Sequence, residues 1–313
     1  MANIKVSQRG MLITYTTEAS GTVSTGPNGG YYKGQTTTIE WTGINLVYQD
    51  PNTVMPTGGT ITSFTTTGAN GIDQMSLTNL NYQIQAADLS LPLDQRLAKL
   101  LQGNDNWTGT AGNETFFYGF GNDNFDGGAG FDTLSVSVPA SSFSIDKTSS
   151  GFTMTATKAG TNISGQVSNL VNIERLQFPD KMLALDLDGN AGQAYRLYQA
   201  AFNRTPDKAG LGYWIGQLDK GAENLNHVAA GFVNSAEFKQ MYGANISDNA
   251  FLTAMYNNVL HRNPDQAGFD YWNGRISAGM TRPDILASFS ESAENIAQVI
   301  GQISHGIEYI PYN

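Results

Sequence analysis

Four acidic side chains recur nine residues apart, at Asp105, Glu114, Asp123 and Asp132. Each follows a glycine by two positions (Gly103, Gly112, Gly121, Gly130) and precedes a large apolar residue by two (Trp107, Phe116, Phe125, Leu134). Glycine makes up 35 of the 313 residues and Asp plus Glu 27, so eight such matches would arise by chance at roughly 1 in 10⁸ start positions. Carboxylates delivered at regular turns are oxygen ligands for a hard divalent cation, and a cage of roughly six to eight oxygens suits calcium rather than zinc. The chain has no cysteine, which removes thiolate ligands, thiol nucleophiles and disulfides together. Its three histidines, His227, His261 and His305, fall in no His-Glu-x-x-His spacing, and there is no Gly-x-Ser-x-Gly elbow or phosphate-binding glycine loop. The chemistry on offer is cation binding, and the chain is not expected to be an enzyme.

Such carboxylates need turns that repeat in space. In register the units are 100–108, 109–117, 118–126 and 127–135. Glycine permits a turn with positive φ, the acid points into the turn, and the apolar residue sits on a short strand facing inward. Each unit is then half a coil of a parallel β-roll, and turns on one side come from units two apart. That pairs the Asp105 turn with the Asp123 turn and the Glu114 turn with the Asp132 turn. Stacked acids repel one another unless a cation lies between them, so two stacked pairs imply two ions.

The segment Gly127-Gly128-Ala129-Gly130-Phe131-Asp132-Thr133-Leu134-Ser135 matches the motif GGxGxDx(apolar)x at every position. The repeat therefore resembles the RTX, or hemolysin-type, calcium-binding family. The first three units depart from the motif: the first lacks both leading glycines, the second and third keep one each, and the second has Glu114 for Asp. The resemblance implies Ca²⁺ held by Asp105, Glu114, Asp123 and Asp132, with Gly103, Gly112, Gly121, Gly128 and Gly130 shaping the turns. It also implies a protein that folds on meeting extracellular calcium after type I export, guided by an uncleaved C-terminal signal. The opening residues MANIKVSQRG carry no charged-then-apolar leader, which fits that route.

The expected fold class is multidomain β + α. Residues 1–91 read as an N-terminal antiparallel β domain, with strands in 11–16, 37–41 and 43–48 and turns at Gly29-Gly30, Asp50-Pro51 and Gly58-Gly59. Residues 92–189 read as a capping helix (92–101), the short parallel β-roll and following strands. Residues 190–302 read as an all-α repeat domain, because Tyr198 to Trp214 recurs as Tyr256 to Trp272 at an offset of 58. In the shared Arg-x-Pro-Asp-x-x-Gly-x-x-Tyr-Trp stretch, Asp207 and Asp265 are expected to cap the next helix. Tyr213, Trp214, Tyr271 and Trp272 are expected to fill the core, and Gly210 and Gly268 to allow close helix approach. His261, aligned with Asn203, is expected at the surface. This block resembles a helical domain of unassigned function at the C-terminal ends of type I secreted RTX proteins and, more distantly, phycobilisome linker domains. Asp186-Leu187-Asp188-Gly189-Asn190 opens like an EF-hand loop, but Leu197 stands where its closing Glu is needed, so a helix-start turn is expected. Residues 303–313 are expected to form an unpacked tail and a candidate secretion signal.

Lys plus Arg of 17 against Asp plus Glu of 27 gives a net charge of −10 with no basic run, which argues against nucleic acid or an anionic membrane surface as partner. No stretch approaches the ~18 apolar residues of a membrane span. The expected function is a secreted, calcium-binding structural protein of the bacterial cell surface or extracellular matrix, self-associating into a layer, sheath or filament. The alternatives are an adhesin that binds polysaccharide or another host ligand, and a polysaccharide enzyme relying on carboxylates alone.

Overall fold

The structure is a computed structural model that describes residues 101–312 throughout and, ahead of them, 3–6, 22–26, 29–33, 37–47, 58–68, 74–78 and 82–85. The chain forms two compact units, Met1–Asp180 and Lys181–Asn313, the first built of strands and the second mainly of helices. The expected strand at 11–16 and the helix at 92–101, apart from Leu101, lie outside the described residues.

The first unit begins with β1 (Asn3–Val6), β2 (Thr22–Gly26), β3 (Gly29–Lys33), β4 (Thr37–Val47), β5 (Gly58–Gly68), β6 (Gln74–Thr78) and β7 (Tyr82–Gln83). Antiparallel pairing runs β2-β3-β4-β5-β6-β1, and β7 pairs with β5. The runs 37–41 and 43–48, which read as two strands, are as far as Val47 one 11-residue strand whose register against β5 shifts between Thr42 and Gly43. A β-bulge reconciles the two readings, because an extra residue breaks the alternation without ending the pairing. Gly29-Gly30 and Gly58-Gly59 are not turns but the first residues of β3 and β5. Trp41 and Ile61 are buried here.

The nine-residue units supply β8 (Asn106–Thr108), β9 (Thr115–Phe117), β10 (Asn124–Asp126) and β11 (Thr133–Ser135). They stack in parallel two units apart, with Phe125 beside Trp107 and Leu134 beside Phe116. After a 3₁₀ turn at Ala140–Ser142, an antiparallel hairpin of β12 (Phe143–Lys147) and β13 (Phe152–Ala156) leads to β14 (Val167–Val171) and β15 (Arg175–Gln177). These last two strands continue the roll: β14 lies parallel to β10 with Leu170 beside Phe125, and β15 lies parallel to β11 with Leu176 beside Leu134. The roll therefore has a third coil, separated in sequence from the second by the hairpin. At its other end β1 pairs in parallel with β8, placing Ile4 in register with Trp107. The N-terminal strands and the roll thus share one sheet.

Apolar stacking fills the roll. The Trp107 and Phe125 rings stack at 5.6 Å, and Phe116 meets Phe125 edge-on at 6.1 Å. All three rings are buried, as are Leu134, Leu170 and Leu176. Burying one such side chain contributes about 1.5–3 kcal/mol.

The second unit opens with β16 (Met182–Ala184) and then carries α1 (Asn190–Phe202), α2 (Lys208–Asp219), α3 (Leu225–Asn234) and α4 (Ala236–Tyr242). The second repeat gives α5 (Asp248–Val259), α6 (Gln266–Ser277), α7 (Arg282–Ser290) and α8 (Ala293–Ile303), followed by β17 (Ile307–Tyr309). Asp207 caps α2 by accepting the Gly210 N–H at 2.7 Å, and Asp265 caps α6 by accepting the Gly268 N–H at 2.8 Å. Asn203 and His261 occupy equivalent left-handed positions, φ 48° and 54°, and both are exposed. Gly210 and Gly268 make room for the Tyr198 and Tyr256 hydroxyls rather than for a neighbouring helix backbone.

Two further expectations fail in this unit. Residues 303–313 are not an unpacked tail: β17 pairs antiparallel with β16, and Ile303, Ile307 and Tyr309 are buried. Gly212 explains the docking, because any side chain there would overlap the Ile310 carbonyl, and the Ile310 N–H reaches the Lys208 carbonyl at 3.0 Å. Tyr271 is not core either; it is 58% exposed, and Tyr213, Trp214 and Trp272 are half-buried. The tail accounts for the difference between repeats. Tyr213 packs on Tyr312 with ring centroids 4.8 Å apart, whereas Asp270 replaces Gly212 in the second repeat, where such an approach would clash. Among the described residues no helix is long and apolar enough to cross a membrane.

Candidate metal centre

The roll buries all four periodic acids: Asp105, Glu114, Asp123 and Asp132. Each successive coil places its acid on the backbone of the coil before. Asp123 Oδ1 accepts the Asp105 N–H at 2.9 Å, and Asp132 Oδ1 accepts the Glu114 N–H at 2.7 Å. The two stacked columns expected from the period are therefore formed, Asp105 with Asp123 and Glu114 with Asp132.

Glycines permit this stacking in two ways. Gly103, Gly121, Gly128 and Gly130 have φ of 127°, 130°, 89° and 128°, a region that side chains with a Cβ rarely adopt. Gly112 does not share that conformation, contrary to expectation. Its place in the repeat is explained by stacking: a Cβ on Gly130 would overlap the Gly112 carbonyl, as one on Gly121 would overlap the Gly103 carbonyl.

The electrostatics are those of like charges brought together out of water. Burial raises the Asp123 carboxyl to about 7; the Asp105 N–H opposes the shift and the Asp105 charge adds to it. Asp132 is also pushed up to about 7, first by burial, with the Glu114 N–H opposing, and with the Glu114 carboxyl, through its charge and its side-chain contact, and the Glu174 charge adding to it. Burial and the Asp123 charge raise the Tyr118 phenol to about 12. The Asp132 Oδ2 atom is buried and has no hydrogen-bond partner.

The third coil adds two residues that the nine-residue period did not reveal. Glu174 Oε2 accepts the Asp132 N–H at 2.6 Å, the same relation that Asp132 bears to Glu114. In the other column Ser168 follows Asp123, one position before the Asn124–Asn169 pair, and its buried hydroxyl has no hydrogen-bond partner. A local signal existed: Glu174-Arg175-Leu176 repeats the acid-x-apolar order of Asp132-Thr133-Leu134. The hairpin hides it by lengthening the spacing.

Glu114 differs from the other acids. Thr110 stands where the motif has its second glycine, donating its N–H to Glu114 Oε2 at 2.9 Å and its hydroxyl to Oε1 at 2.7 Å. Among the described residues no three His, Cys, Asp or Glu side chains form a group able to hold a metal, so a cation here would draw most of its shell from main-chain oxygens. The Asp186 segment is a helix-start turn, with Gly189 as N-cap and Asp186 Oδ2 accepting the Ala191 N–H at 3.1 Å.

In the helical unit the repeated polar residues pair with one another. Arg204 makes a bidentate pair with Glu237 at 2.8 and 3.2 Å and lies over the Tyr198 ring. Arg262 repeats this with Glu294 at 2.8 and 3.0 Å and with Tyr256. No curated protein matches the chain. Residues 190–241 and 229–299, which cover α1 through most of α8, match the family described as a domain of unknown function, DUF4214.

Proposed function

We propose that this chain is a secreted structural protein whose roll binds calcium between stacked acidic turns and becomes stable on meeting extracellular calcium. The observation that carries the proposal is the column of buried acids ending at Asp132, whose Oδ2 has no partner. A buried carboxylate oxygen without a partner is costly, and a hard divalent cation with oxygen ligands relieves both the repulsion and the missing bond. Asp105, Asp123 and Asp132 would hold the ions together with turn carbonyls. Calcium would supply charge neutralisation and cross-linking of coils rather than reaction chemistry. At an affinity of ~10⁻⁴ M, about 1 mM calcium would stabilise the fold by about 1.4 kcal/mol per site, and sub-micromolar calcium by almost nothing. Secretion and the surface location rest on the resemblance of the repeat to the RTX family.

The test is a calcium titration from EGTA to ~10 mM, followed by far-UV circular dichroism and light scattering, with an Asp123→Ala/Asp132→Ala double variant alongside. β signal and particle size rising together in the wild type alone support calcium-gated assembly. Folding without growth points to a soluble adhesin-like module, and no response in the wild type removes the calcium proposal.

A further inference from the structure

The pairing of Glu114 with Asp132 is not where the second column is best built to hold an ion. We infer that its cation lies one layer further on, between the turn of residues 127–132 and the third coil, with Asp132, Glu174 and main-chain oxygens as ligands and without Glu114. This rests on the calcium proposal for the roll and assigns it a residue outside the repeat.

Three independent observations lead there. First, both Glu114 oxygens are engaged by Thr110 within their own turn, so ligation would sacrifice two hydrogen bonds at a buried position. Second, Asp132 directs a buried, unpartnered oxygen toward Gly127. A methyl group on Gly127 would stand 2.5 Å from Asp132 Oδ2 and overlap the Asn172 carbonyl oxygen. Oxygens from the second and third coils therefore converge beside Gly127, as Glu114 Oε2 and the Gly127 carbonyl oxygen do one coil earlier beside Gly109, where Thr110 already engages the carboxylate. Asn172 is held there in the left-handed region, φ 51°, with its amide donating to Asp126 Oδ1 at 2.8 Å.

Third, Glu174 reaches the Asp132 N–H just as each motif acid reaches the acid one coil earlier. The turn beneath it is the one that matches the motif at every position. Two carboxylates with carbonyl oxygens form a hard donor set suited to calcium and poorly suited to zinc or copper. The nearby Arg175 guanidinium lies over the Phe131 ring at 4.2 Å and donates to the Glu174 carbonyl. The first column has no such extension: after Asp123 it ends in the neutral Ser168, leaving its ion between Asp105 and Asp123.

The test is equilibrium dialysis of the full chain with radiolabelled calcium, comparing wild type with Glu174→Gln, Glu114→Gln and Asp123→Asn. The wild type is expected to bind about two ions, Glu174→Gln and Asp123→Asn about one each, and Glu114→Gln about two. Glutamine at 174 keeps the acceptor for the Asp132 N–H, and circular dichroism matching the wild type at ~10 mM calcium verifies its fold. Should it misfold, Glu174→Asp serves instead and is expected to weaken one site at least ~10-fold while the other is unchanged. Full binding by the folded Glu174 variant, or loss of an ion in Glu114→Gln, overturns the assignment while leaving calcium binding intact. A wild type that binds no calcium removes both proposals.

Discussion

Asp123 and Asp132 of the roll sit against other acids, whereas Asp207, Asp284, Glu294 and Glu308 of the helical unit face bases, hydroxyls or helix N-termini. Asp123 and Asp132 sit on the acidic turns of neighbouring coils and are raised to about 7. Glu308, clamped by Lys208 and Lys181, and Glu294, paired with Arg262, are held below their ordinary range. Asp207 is lowered by the Tyr198 hydroxyl and then by the Gly210 N–H, and Asp284 by Thr281. One chain thus uses carboxylates in opposite ways. The helical carboxyls are lowered by bases, hydroxyls and N–H groups, while Asp123 and Asp132 are raised by burial and then by their acidic neighbours.

The contrast is tested most strongly by removing one charge from each region. Arg196 is buried, makes a bidentate pair with Glu291 at 2.8 and 2.6 Å and donates to the Leu187 carbonyl. Arg196→Ala should destabilise the helical unit by about 3 kcal/mol, because it strands the partners of a buried cation. Asp132→Asn should have the opposite sign in EGTA, raising the melting temperature of the roll by ~2–4 °C, about 1 kcal/mol, as repulsion is relieved. With calcium present, the same variant should lower it. Scanning calorimetry of both variants decides the matter, and a calcium-free roll weakened by Asp132→Asn would break the comparison.

The pH dependence should also split by region. In EGTA the folded roll retains protons on Asp123 and Asp132 that the unfolded chain releases near 3.8. Its stability is therefore full below that value and is lost as the pH rises through about 7. In the helical unit the lowered carboxyls Asp207, Asp284, Glu294 and Glu308 contribute stability above their ordinary range. That contribution is lost as the pH falls through their folded values. Hydrogen exchange of the two regions at pH 5 and pH 8 should show the roll better protected at the lower pH, with the helical unit nearly indifferent.

The sequence made the roll legible where the period held. Nine-residue spacing located Asp105, Glu114, Asp123 and Asp132, their turns and the column partners, because stacking two units apart follows from half-coil geometry. It could not locate Glu174 or Ser168, since the inserted hairpin makes the spacing from Asp132 to Glu174 42 residues rather than 18. The helical repeat exposed the caps Asp207 and Asp265 for the same reason: capping is local. Tail docking was illegible because it depends on Gly212 meeting Ile310 across about a hundred residues, and a three-residue strand carries little pattern of its own.

Smaller effects sharpen the contrast within the helical unit. Asp207→Ala removes both a cap and the acceptor of the Tyr198 hydroxyl at 2.6 Å, and should cost about 1 kcal/mol. A cost near zero would mean that water caps α2 as well as Asp207 does.

The smallest effect concerns the repeated arginine. Arg262 and Glu294 have ideal bidentate distances, yet their side chains are 41% and 39% exposed, so solvent screens the pair. Screening sets the expectation: an Arg262→Ala/Glu294→Ala double-variant cycle should give a coupling of ~0.5 kcal/mol that fades in 1 M salt. Arg196 with Glu291 has the same bidentate geometry but a buried guanidinium, and its coupling should be several-fold larger and persist in salt. Equal couplings at the two sites would mean that geometry rather than burial sets the strength of these pairs. In that case the acid-on-acid stacking in the roll could not be weighed by burial either.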